Sequence, residues 1–446
     1  MTAYAEKKAR LLADLGRAKG SPEFGLGKRT SNLFRDRAPR APPKIDLSHF
    51  NAVVAVDTVA GLVEAEGMTT FADLAETTLA QGTMPAVVPQ LKSITLGGAV
   101  AGVGIEATSF RAGLVHDAIV ELDVLTGDGR IVTCTADNEH RDLFHGFANS
   151  YGTLGYALRV TMRTQPVKPF VRVDHQRFTD PAAFFAEIAR KCAAGEGDFL
   201  DGVVFAPDEL VLSSARFVDI APFTSDYTFE KIYYRSLRER SADFLRARHY
   251  LWRWDTDWFW CSKNVGAQNP VLRHIYGREL LNSVTYQKLM RLNTRLGLTA
   301  RWNELAGIHT ESVIQDVDIP IERAAEFLAF FHAEIGILPI WICPIRAPNG
   351  GASATFYRLP SQGPAINFGF WDVVKRREPI ERGHFNRKIE RKVVELGGIK
   401  SLYSDSYYPE EEFWQIFDRD AYRALKARYD PDGRRGDLYG KCVLRH

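Results

Sequence analysis

The sequence predicts an α+β protein with more than one domain. Its 446 residues exceed the roughly 250–300 at which a single hydrophobic core stops growing. Short runs that alternate apolar and polar residues, typical of strands, are interleaved with runs of helical periodicity. The composition also changes near residue 166, after which aromatic and arginine residues become frequent. These three observations predict a domain boundary at that point.

Residues 1–165 are predicted to form the first domain from short strands and short helices. Residues 51–57 have the pattern of a strand, and residues 69–80 have apolar side chains on one face of a helix. Residues 118–125 alternate in polarity and are followed by an Asp-Gly turn signal, which predicts a hairpin into residues 131–134.

Residues 166–385 are predicted to form a second α+β domain that holds the substrate. A helix is predicted over residues 322–335, and the apolar run 337–345 is predicted to be a buried strand or pocket wall. Helical periodicity returns at residues 384–396 and 410–429, so residues 386–446 are predicted to be a helical C-terminal segment.

The balance of charges gives no support for a nucleic-acid partner. The 57 Lys and Arg residues against 55 Asp and Glu residues give a formal net charge of +2. The cysteines form no CxxC pair and the histidines no HExxH motif, so neither a disulfide scaffold nor a metal site is expected. The sequence shows neither a signal peptide nor an apolar run of 18 residues. We expect a cytoplasmic protein, with any membrane contact peripheral and on the inner face.

The densest glycine cluster lies in residues 95–113, TLGGAVAGVGIEATSFRAG. Glycines let a backbone approach a ligand closely and let successive N–H groups point at one anion, commonly a pyrophosphate. Tight turns without a ligand are the alternative interpretation. The string GVGIEA fits the GxGxxA dinucleotide fingerprint, but no long helix follows it, so a Rossmann unit is not predicted.

Several short motifs follow one another in an order that resembles a known family. They are Thr95-Leu-Gly-Gly98, Gly113-Leu-Val-His-Asp117, Thr126-Gly-Asp-Gly129, Asp142-Leu-Phe144 and Gly152-Thr-Leu-Gly155. Their order and spacing resemble the PCMH-type FAD-binding domain of the vanillyl-alcohol oxidase superfamily. The resemblance implies a two-part domain that wraps an extended FAD, with backbone amides of the glycine loops around the pyrophosphate.

Later blocks resemble the 24-dehydrocholesterol reductase branch of that superfamily. They are Val313-Ile-Gln-Asp316, Leu338-Pro-Ile-Trp-Ile-Cys-Pro344 and Leu402-Tyr-Ser-Asp-Ser-Tyr407. Bacterial flavoproteins similar to this branch act on fatty acyl chains, and some reduce a methylene branch beside a methyltransferase. The membrane segment of the sterol enzymes has no counterpart in this sequence. The resemblance therefore implies a fatty acyl substrate rather than a sterol.

The resemblance and the glycine pattern together define the predicted cofactor site. The first glycine loop, residues 24–32, contains no His or Cys for a covalent bond, so the predicted FAD is non-covalent. Lys28 and Arg29 in this loop either contact the pyrophosphate or are solvated charges. The predicted cofactor-binding residues are Ser31, Asn32, Thr95, Leu96, Gly97, Gly98, Gly102, Val103, Gly104, Ile105, Glu106, Ser109, Gly113, Gly152, Thr153, Leu154 and Gly155.

Reduction of an alkene with a flavin also requires a proton donor. Tyr403, Asp405 and Tyr407 occupy every second position and would share one side of an extended segment; a Tyr ladder on a strand is the alternative. A buried Asp beside Tyr hydroxyls would have a raised pKa. The resemblance implies that this segment returns toward the flavin ring. Histidine pairs are further catalytic candidates: His249 with Tyr250, and His309 with Glu311.

Aromatic segments are predicted on the substrate side. Tyr250, Trp341 and Cys343 are the predicted substrate-binding residues. The run 246–260, RARHYLWRWDTDWFW, has two interpretations. It either docks on a membrane interface or rims an acyl entrance, or it packs as a buried amphipathic helix on the first domain.

These observations predict an FAD-dependent oxidoreductase that acts on a carbon–carbon double bond of a lipid. The favoured reaction is reduction of a methylene-branched or unsaturated fatty acyl chain, free or in a phospholipid. The alternatives are lipid desaturation, sterol Δ24 reduction, oxidation of a sugar alcohol or hydroxy acid, and a non-enzymatic lipid- or flavin-binding module. NADPH or an electron-transfer partner would supply the electrons, and a lipid methyltransferase is a further predicted partner.

Overall fold

Two sheets with flanking helices form the α+β fold that the sequence predicts. The computed structural model describes residues 3–17, 25–28, 34–35, 44–346 and 354–445. No helix in these ranges is both long enough and apolar enough to cross a bilayer.

The described residues contain sixteen strands, which are paired antiparallel except for β1 with β2. In chain order they are β1 (Gly25–Gly27), β2 (Lys44–Asp46), β3 (Val53–Asp57), β4 (Leu62–Glu66), β5 (Thr83–Pro85), β6 (Ile119–Leu125), β7 (Ile131–Thr135), β8 (Tyr156–Pro166), β9 (Phe170–Phe178), β10 (Phe199–Ala206), β11 (Glu209–Val218), β12 (Ala242–Arg246), β13 (His309–Pro320), β14 (Ile340–Ile345), β15 (Ala365–Arg376) and β16 (Ile399–Lys400).

The same residues contain fifteen α-helices, several of them a single turn. They are α1 (Ala3–Arg17), α2 (Phe71–Leu79), α3 (Leu96–Ala101), α4 (Ser109–Ala112), α5 (Arg141–Gly146), α6 (Pro181–Ala194), α7 (Tyr233–Ser236), α8 (Ala247–Leu251), α9 (Pro270–Leu280), α10 (Ser283–Leu296), α11 (Leu298–Leu305), α12 (Ile321–Glu334), α13 (His384–Glu395), α14 (Glu410–Ile416) and α15 (Arg419–Tyr429).

The first sheet has the order β3-β4-β8-β6-β7, with β5 paired to β8. It confirms the predicted strand at residues 51–57 as β3, the helix at 69–80 as α2, and the hairpin as β6 and β7. Strand β8 is central because it pairs with β4, β5 and β6. The glycine segment, residues 95–113, contributes α3, which contacts β8 of this sheet, and α4, which contacts β14.

The second sheet has the order β12-β9-β11-β10-β14-β15-β13-β16. Side chains alternate between its two faces, as the period of a strand requires. On β13, for example, Val313, Val317 and Ile319 join the core beneath α6, α12 and α13. Asp316 and Asp318 are offset by one residue and therefore lie on the opposite face. That opposite face carries Trp341, Cys343 and Trp371 and joins the core of the first sheet.

The predicted C-terminal segment divides between the two sheets. Helix α13 contacts β13 and α12, so it packs with the second sheet. Helix α15 instead lies against the first sheet, where the amide of Gly127 donates to the carbonyl of Tyr429 at 2.8 Å. The predicted helix 410–429 is two helices, because Asp418 has a φ of +52° and begins α15 as its N-cap.

The aromatic run 246–260 is an interior segment. Its four tryptophans are at most 9% exposed, and only its beginning, α8, is helical. Of the two interpretations of this run, burial against the first domain agrees with the structure, although not as one continuous helix.

Candidate functional site

The glycine segment forms an open corner at Thr95 and Gly98. Gly98 is exposed, and a Cβ at this position would lie 2.7 Å from Thr95 Oγ1 and 3.6 Å from Lys28 Nζ. Thr95 Oγ1 is buried and has no hydrogen-bond partner among the described residues. This corner therefore brings together the bare backbone of Gly98, the unpartnered hydroxyl of Thr95 and the cation of Lys28. This is the chemistry that a pyrophosphate needs.

Other glycines of the predicted cofactor set are required by protein packing. A Cβ on Gly97 would lie 2.9 Å from the carbonyl oxygen of Gly67, and one on Gly104 would lie 2.5 Å from Val115 Cγ2. Three more occupy left-handed or related conformations with positive φ, namely Gly113, Gly152 and Gly155. The need for glycine at Gly104 thus comes from close packing on Val115 rather than from the approach of a ligand.

The remaining members of the predicted set have mixed surroundings. Ser109 Oγ accepts a hydrogen bond from the amide of Glu106, and the Thr153 hydroxyl donates to the carbonyl of Ser150. Four apolar members contribute to the hydrophobic core: Leu96, Val103, Ile105 and Leu154. Ser31 and Asn32 lie outside the described residues, and their roles stay predictions.

The structure brings the two predicted glycine loops together. The amide of Tyr151 donates to the carbonyl of Ala101 at 2.8 Å, and the amide of Asn149 donates to that of Gly102 at 3.2 Å. Asn149 and Tyr151 both have positive φ, at +60° and +48°, which is rare for residues other than glycine. This strained turn holds the Tyr151 ring 3.4 Å from the position of a Cβ on Gly102.

Tyr151, which the sequence analysis did not single out, connects these loops to the C-terminal segment. Its hydroxyl lies 3.1 Å from Ser401 Oγ, and the guanidinium of Arg35 lies 5.0 Å from its ring centroid. Arg35 also donates to the carbonyl of Leu402 at 2.9 Å. The sequence signal for Tyr151 was its position directly before Gly152. Both residues have positive φ and belong to a turn that fixes the direction of the Tyr151 side chain.

The alternation predicted for residues 403–407 is present. Tyr403, Asp405 and Tyr407 are half-buried, whereas the residues between them are buried. Among the described residues this segment joins no sheet, and one isolated bridge pairs Ser404 with Phe34. The three predicted catalytic side chains nevertheless divide into two groups, because each group has different partners.

Tyr403 belongs to a group that also contains Trp371 and Asp316. Trp371 Nε1 donates to the Tyr403 hydroxyl at 2.9 Å, and that hydroxyl in turn hydrogen-bonds to the carboxyl of Asp316. Burial raises the pKa of Asp316 to about 7, and the nearby charge of Asp318 adds to the rise. Asp316 Oδ1 is buried without a hydrogen-bond partner among the described residues.

The carboxyl of Asp316 fits at this position because the residue opposite it on β15 is Gly369, which has no side chain. A Cβ on Gly369 would lie 2.7 Å from Asp316 Oδ1 and 2.5 Å from the Trp371 ring. Asp316 was quoted in a motif but was not predicted as catalytic. The available signal was the pair of carboxyls at every second position, Asp316 and Asp318, which an extended segment would place on one side.

Asp318, by contrast, has a hydrogen-bond partner for each of its carboxyl oxygens. The Tyr357 hydroxyl donates to Oδ2 at 2.9 Å, and Asn367 Nδ2 donates to Oδ1 at 2.8 Å. Burial raises the pKa of Asp318 to about 6. Because both of its oxygens accept hydrogen bonds, Asp318 is suited to orienting its surroundings rather than to releasing a proton.

Asp405 and Tyr407 form the second group, around Arg445. Arg445 Nη2 lies 3.3 Å from Asp405 Oδ1 and donates to the Tyr407 hydroxyl at 3.3 Å. An adjacent cation stabilises a carboxylate, and Asp405 has such a cation in Arg445, whereas Asp316 forms no ion pair with the described residues. The catalytic role of Asp405 stays a prediction.

The predicted substrate residues surround a buried ion-pair network. Arg253 Nη2 lies 3.1 Å from Glu106 Oε1 and 2.8 Å from Asp201 Oδ2. Burial raises the pKa of Glu106 to about 7, although Arg253 opposes the rise. Tyr250, Trp341 and Cys343 each contact one member: Tyr250 stacks on Arg253 at 4.0 Å, Trp341 Nε1 donates to Asp201 at 3.2 Å, and Cys343 Sγ donates to the Glu106 carbonyl at 3.2 Å.

The histidine candidates lie in other surroundings. His249 is half-buried on α8, where burial lowers its pKa; its charged neighbours include Asp226, Arg246 and Arg278. Glu311 accepts hydrogen bonds from the amides of Phe385 and Asn386 at the beginning of α13. Neither histidine pair shares a partner with the group around Asp316 in the described part of the chain.

Comparison with known proteins agrees with this geometry. Residues 20–135 match the FAD binding domain family, and this range includes Lys28, Thr95 and Gly98. The chain is 25% identical over 409 residues to the Delta(24)-sterol reductase of Homo sapiens, covering 87% of this chain and 75% of the relative. The enzyme of the same name from Pisum sativum is 23% identical over 441 residues, which cover 90% of this chain and 76% of the relative.

A second kind of relative shares only part of the chain. Cytokinin dehydrogenase 7 of Oryza sativa is 31% identical over 146 residues, which cover 32% of this chain and 28% of the relative. These findings confirm the predicted FAD-binding domain. The chain is an FAD-dependent oxidoreductase with similarity to sterol reductases.

The attachment of the cofactor gives the first prediction. We expect FAD to be bound without a covalent link, so that acid precipitation of the purified protein leaves a yellow supernatant with the absorption spectrum of FAD. Flavin that stays with the precipitated protein would contradict this expectation.

The corner at Thr95 gives the second prediction. Thr95→Val removes a hydroxyl without an internal partner, so the apoprotein should be at least as stable as before. FAD should bind about ten- to a hundredfold more weakly, the cost of one hydrogen bond to a charged group, about 1.5–3 kcal/mol. Titration of apoprotein with FAD measures the affinity.

The matched control for this variant is Thr78→Val. The Thr78 hydroxyl is also buried but donates to the carbonyl of Leu74 at 2.9 Å. The same chemical change should therefore lower stability by about 1 kcal/mol and leave FAD affinity unchanged. Equal FAD affinity in wild type and Thr95→Val would remove this corner from the cofactor site.

The ion-pair network gives the third prediction. Arg253→Leu leaves two buried carboxyls without their cation and should lower the free energy of unfolding by about 3–5 kcal/mol. Arg248→Leu is the control, because Arg248 forms an exposed ion pair with Glu76 at 2.9 Å and should cost at most about 1 kcal/mol. Chemical denaturation compares the two; similar losses would show that the network contributes no more than a surface pair.

Proposed function

We propose that the protein reduces a carbon–carbon double bond in a lipid chain, with a methylene-branched or unsaturated fatty acyl chain as substrate. The observation that carries the proposal is the buried carboxyl of Asp316, which hydrogen-bonds to Tyr403 on the sheet face toward the FAD-binding half. The names of the sterol reductases similar to this chain support the reaction class.

The chain supplies what an isolated alkene needs for proton transfer. When bound, FAD supplies the hydride that one alkene carbon receives. The neighbouring carbon must receive a proton, so that C=C becomes CH–CH. Asp316 is suited to this role because burial keeps a substantial fraction of it protonated near neutral pH, and its Oδ1 atom accepts no hydrogen bond from the described residues.

Neighbouring residues orient the acid and exclude water. Trp371 donates to the Tyr403 oxygen, which leaves the Tyr403 proton available to the carboxyl of Asp316. The ring of Phe34 lies 5.9 Å from that of Tyr403 and 5.4 Å from that of Trp258. Such rings provide apolar surface for a lipid chain, and their faces stabilise the positive charge that develops on a branched alkene carbon as it is protonated.

Lipid desaturation is the reverse reaction and would require the Asp316 carboxylate to act as a base. Reduction of a sterol Δ24 double bond is the second candidate, favoured by the names of the relatives. A branched alkene occurs in both kinds of substrate, so they must be compared directly. NADPH is our candidate electron donor, and a lipid methyltransferase our candidate for the enzyme that supplies the substrate.

The fourth prediction concerns Asp316 and pH. Because the pKa of Asp316 is raised to about 7, its acid form predominates below pH 7 and declines above it. We expect the rate at which dithionite-reduced protein is reoxidised by a methylene-branched acyl lipid to fall about tenfold per pH unit above pH 7. Asp316→Asn should slow this step about a hundredfold or more and remove its pH dependence, with flavin content unchanged.

Asp405→Asn is the matched comparison, because it makes the same change at the other candidate acid. It should retain most of the rate if Asp316 is the donor. A normal rate in Asp316→Asn together with a large loss in Asp405→Asn would assign the proton to the C-terminal segment instead. Mass spectrometry of products from acyl and Δ24 sterol substrates, offered separately, identifies the substrate class.

A further inference from the structure

Helices α9 to α11 concentrate the exposed apolar side chains of this protein. Sixteen large hydrophobic residues stand exposed in the described part of the chain, and eight of these lie between residues 271 and 305. Four of the eight are on α10 and α11 together with basic residues. We call this set the α10–α11 patch: Lys288, Arg291, Leu292, Arg295, Leu296, Arg301, Trp302 and Leu305.

The spacing of the patch places it on one side of each helix. On α10, Lys288, Leu292 and Arg295 follow the i, i+4, i+7 spacing of a single face. Trp302 and Leu305 are three residues apart on α11, and α11 contacts α10. The opposite side of α10 is attached to the interior: the Tyr286 hydroxyl donates to the carbonyl of Thr256 at 2.6 Å.

The charge of this region has one sign. Residues 283–305 contain four cations and one acidic residue, Glu304, which gives 4 − 1 = +3. The whole chain has a net charge of only +2, so the rest of the protein is close to neutral. A surface of this kind attracts an anionic partner and repels a second copy of itself.

We propose that the α10–α11 patch docks on the surface of an anionic lipid bilayer. Helices that lie in a membrane interface combine Lys or Arg with Leu and Trp in this way. The cations would meet the headgroups, and the apolar side chains would enter the boundary with the acyl chains. This inference goes beyond the proposed reaction and does not depend on it.

Tryptophan fluorescence gives a selective test of the proposal. Trp302 is 70% exposed, whereas the other seven tryptophans are at most 9% exposed. The purified holoprotein is mixed with vesicles of phosphatidylglycerol and phosphatidylcholine in equal parts, some carrying brominated acyl chains. We expect co-sedimentation with these vesicles and quenching by the brominated lipid. Trp302→Phe should remove the quenching and keep binding within a fewfold.

Two further comparisons separate the contributions to binding. Vesicles of phosphatidylcholine alone should bind at least about tenfold more weakly, as should anionic vesicles in about 1 M salt, where the Debye length is only about 3 Å. The double variant Leu292→Glu, Leu296→Glu should also lose at least about tenfold in binding, because it places charge in the apolar part of the patch.

The matched control places glutamates at equally exposed apolar residues elsewhere. Val59 and Ile220 are 99% and 82% exposed, so Val59→Glu, Ile220→Glu should bind vesicles as the wild type does. Absence of vesicle binding, or equal binding by both double variants, would overturn the proposal. So would a concentration-dependent dimer in sedimentation analysis that only the patch variant loses. None of these measurements involves turnover, so their failure is distinct from a failure of the Asp316 prediction.

Discussion

The period of two in the second sheet is the constraint on which the rest of the site depends. Each strand must send alternate side chains to opposite faces, and one face is already filled by the core beneath α6, α12 and α13. Asp316 and Asp318 of β13 are therefore directed at the first sheet, whereas Glu311 and Gln315 of the same strand hydrogen-bond to α13. Shifting the register of β13 by one residue would move Asp316 into the apolar core and Val317 to the site.

The buried carboxyls of the protein differ in how many of their oxygens accept hydrogen bonds. Asp318 is satisfied by Tyr357 and Asn367, and Asp201 by Arg253 and Trp341. Asp316 and Glu106 each keep one oxygen without a partner among the described residues. An unpartnered buried carboxyl is costly as an anion and much less costly as a neutral acid. The same burial that would weaken the fold thus produces a group able to hold a proton near neutral pH.

Much of the fold could be predicted from sequence because its signals are local. The hairpin β6–β7 and helix α12 each follow from a pattern within a few residues. The cofactor loop was also local, since its glycines are adjacent in the chain. The role of each glycine could not be predicted from the local sequence. Gly98 faces an open corner and Gly104 faces Val115, and this difference depends on residues distant in sequence.

The proposed proton donor could not be predicted for a related reason. The alternation of Tyr403, Asp405 and Tyr407 was correct, but their partners come from other elements. Asp316 reaches Tyr403 through the pairing of β13 in the second sheet, and Arg445 reaches Asp405 through the course of the last residues. A sequence pattern shows which side chains lie on the same side of a segment. It does not show which charged residues of other elements lie next to them.

The contacts of Tyr151 have a consequence for how the protein is made. Lys441 donates to the carbonyl of Tyr151 at 2.7 Å, and the guanidinium of Arg435 lies 3.9 Å from the ring of Tyr156. These partners are synthesised long after the strands they cover. A nascent chain therefore carries an incomplete cofactor half while the second sheet is being made, and this side of the first sheet closes only after residue 441 has emerged. Pairings between such distant parts of a chain are slow to form, so the cofactor half is completed late in folding.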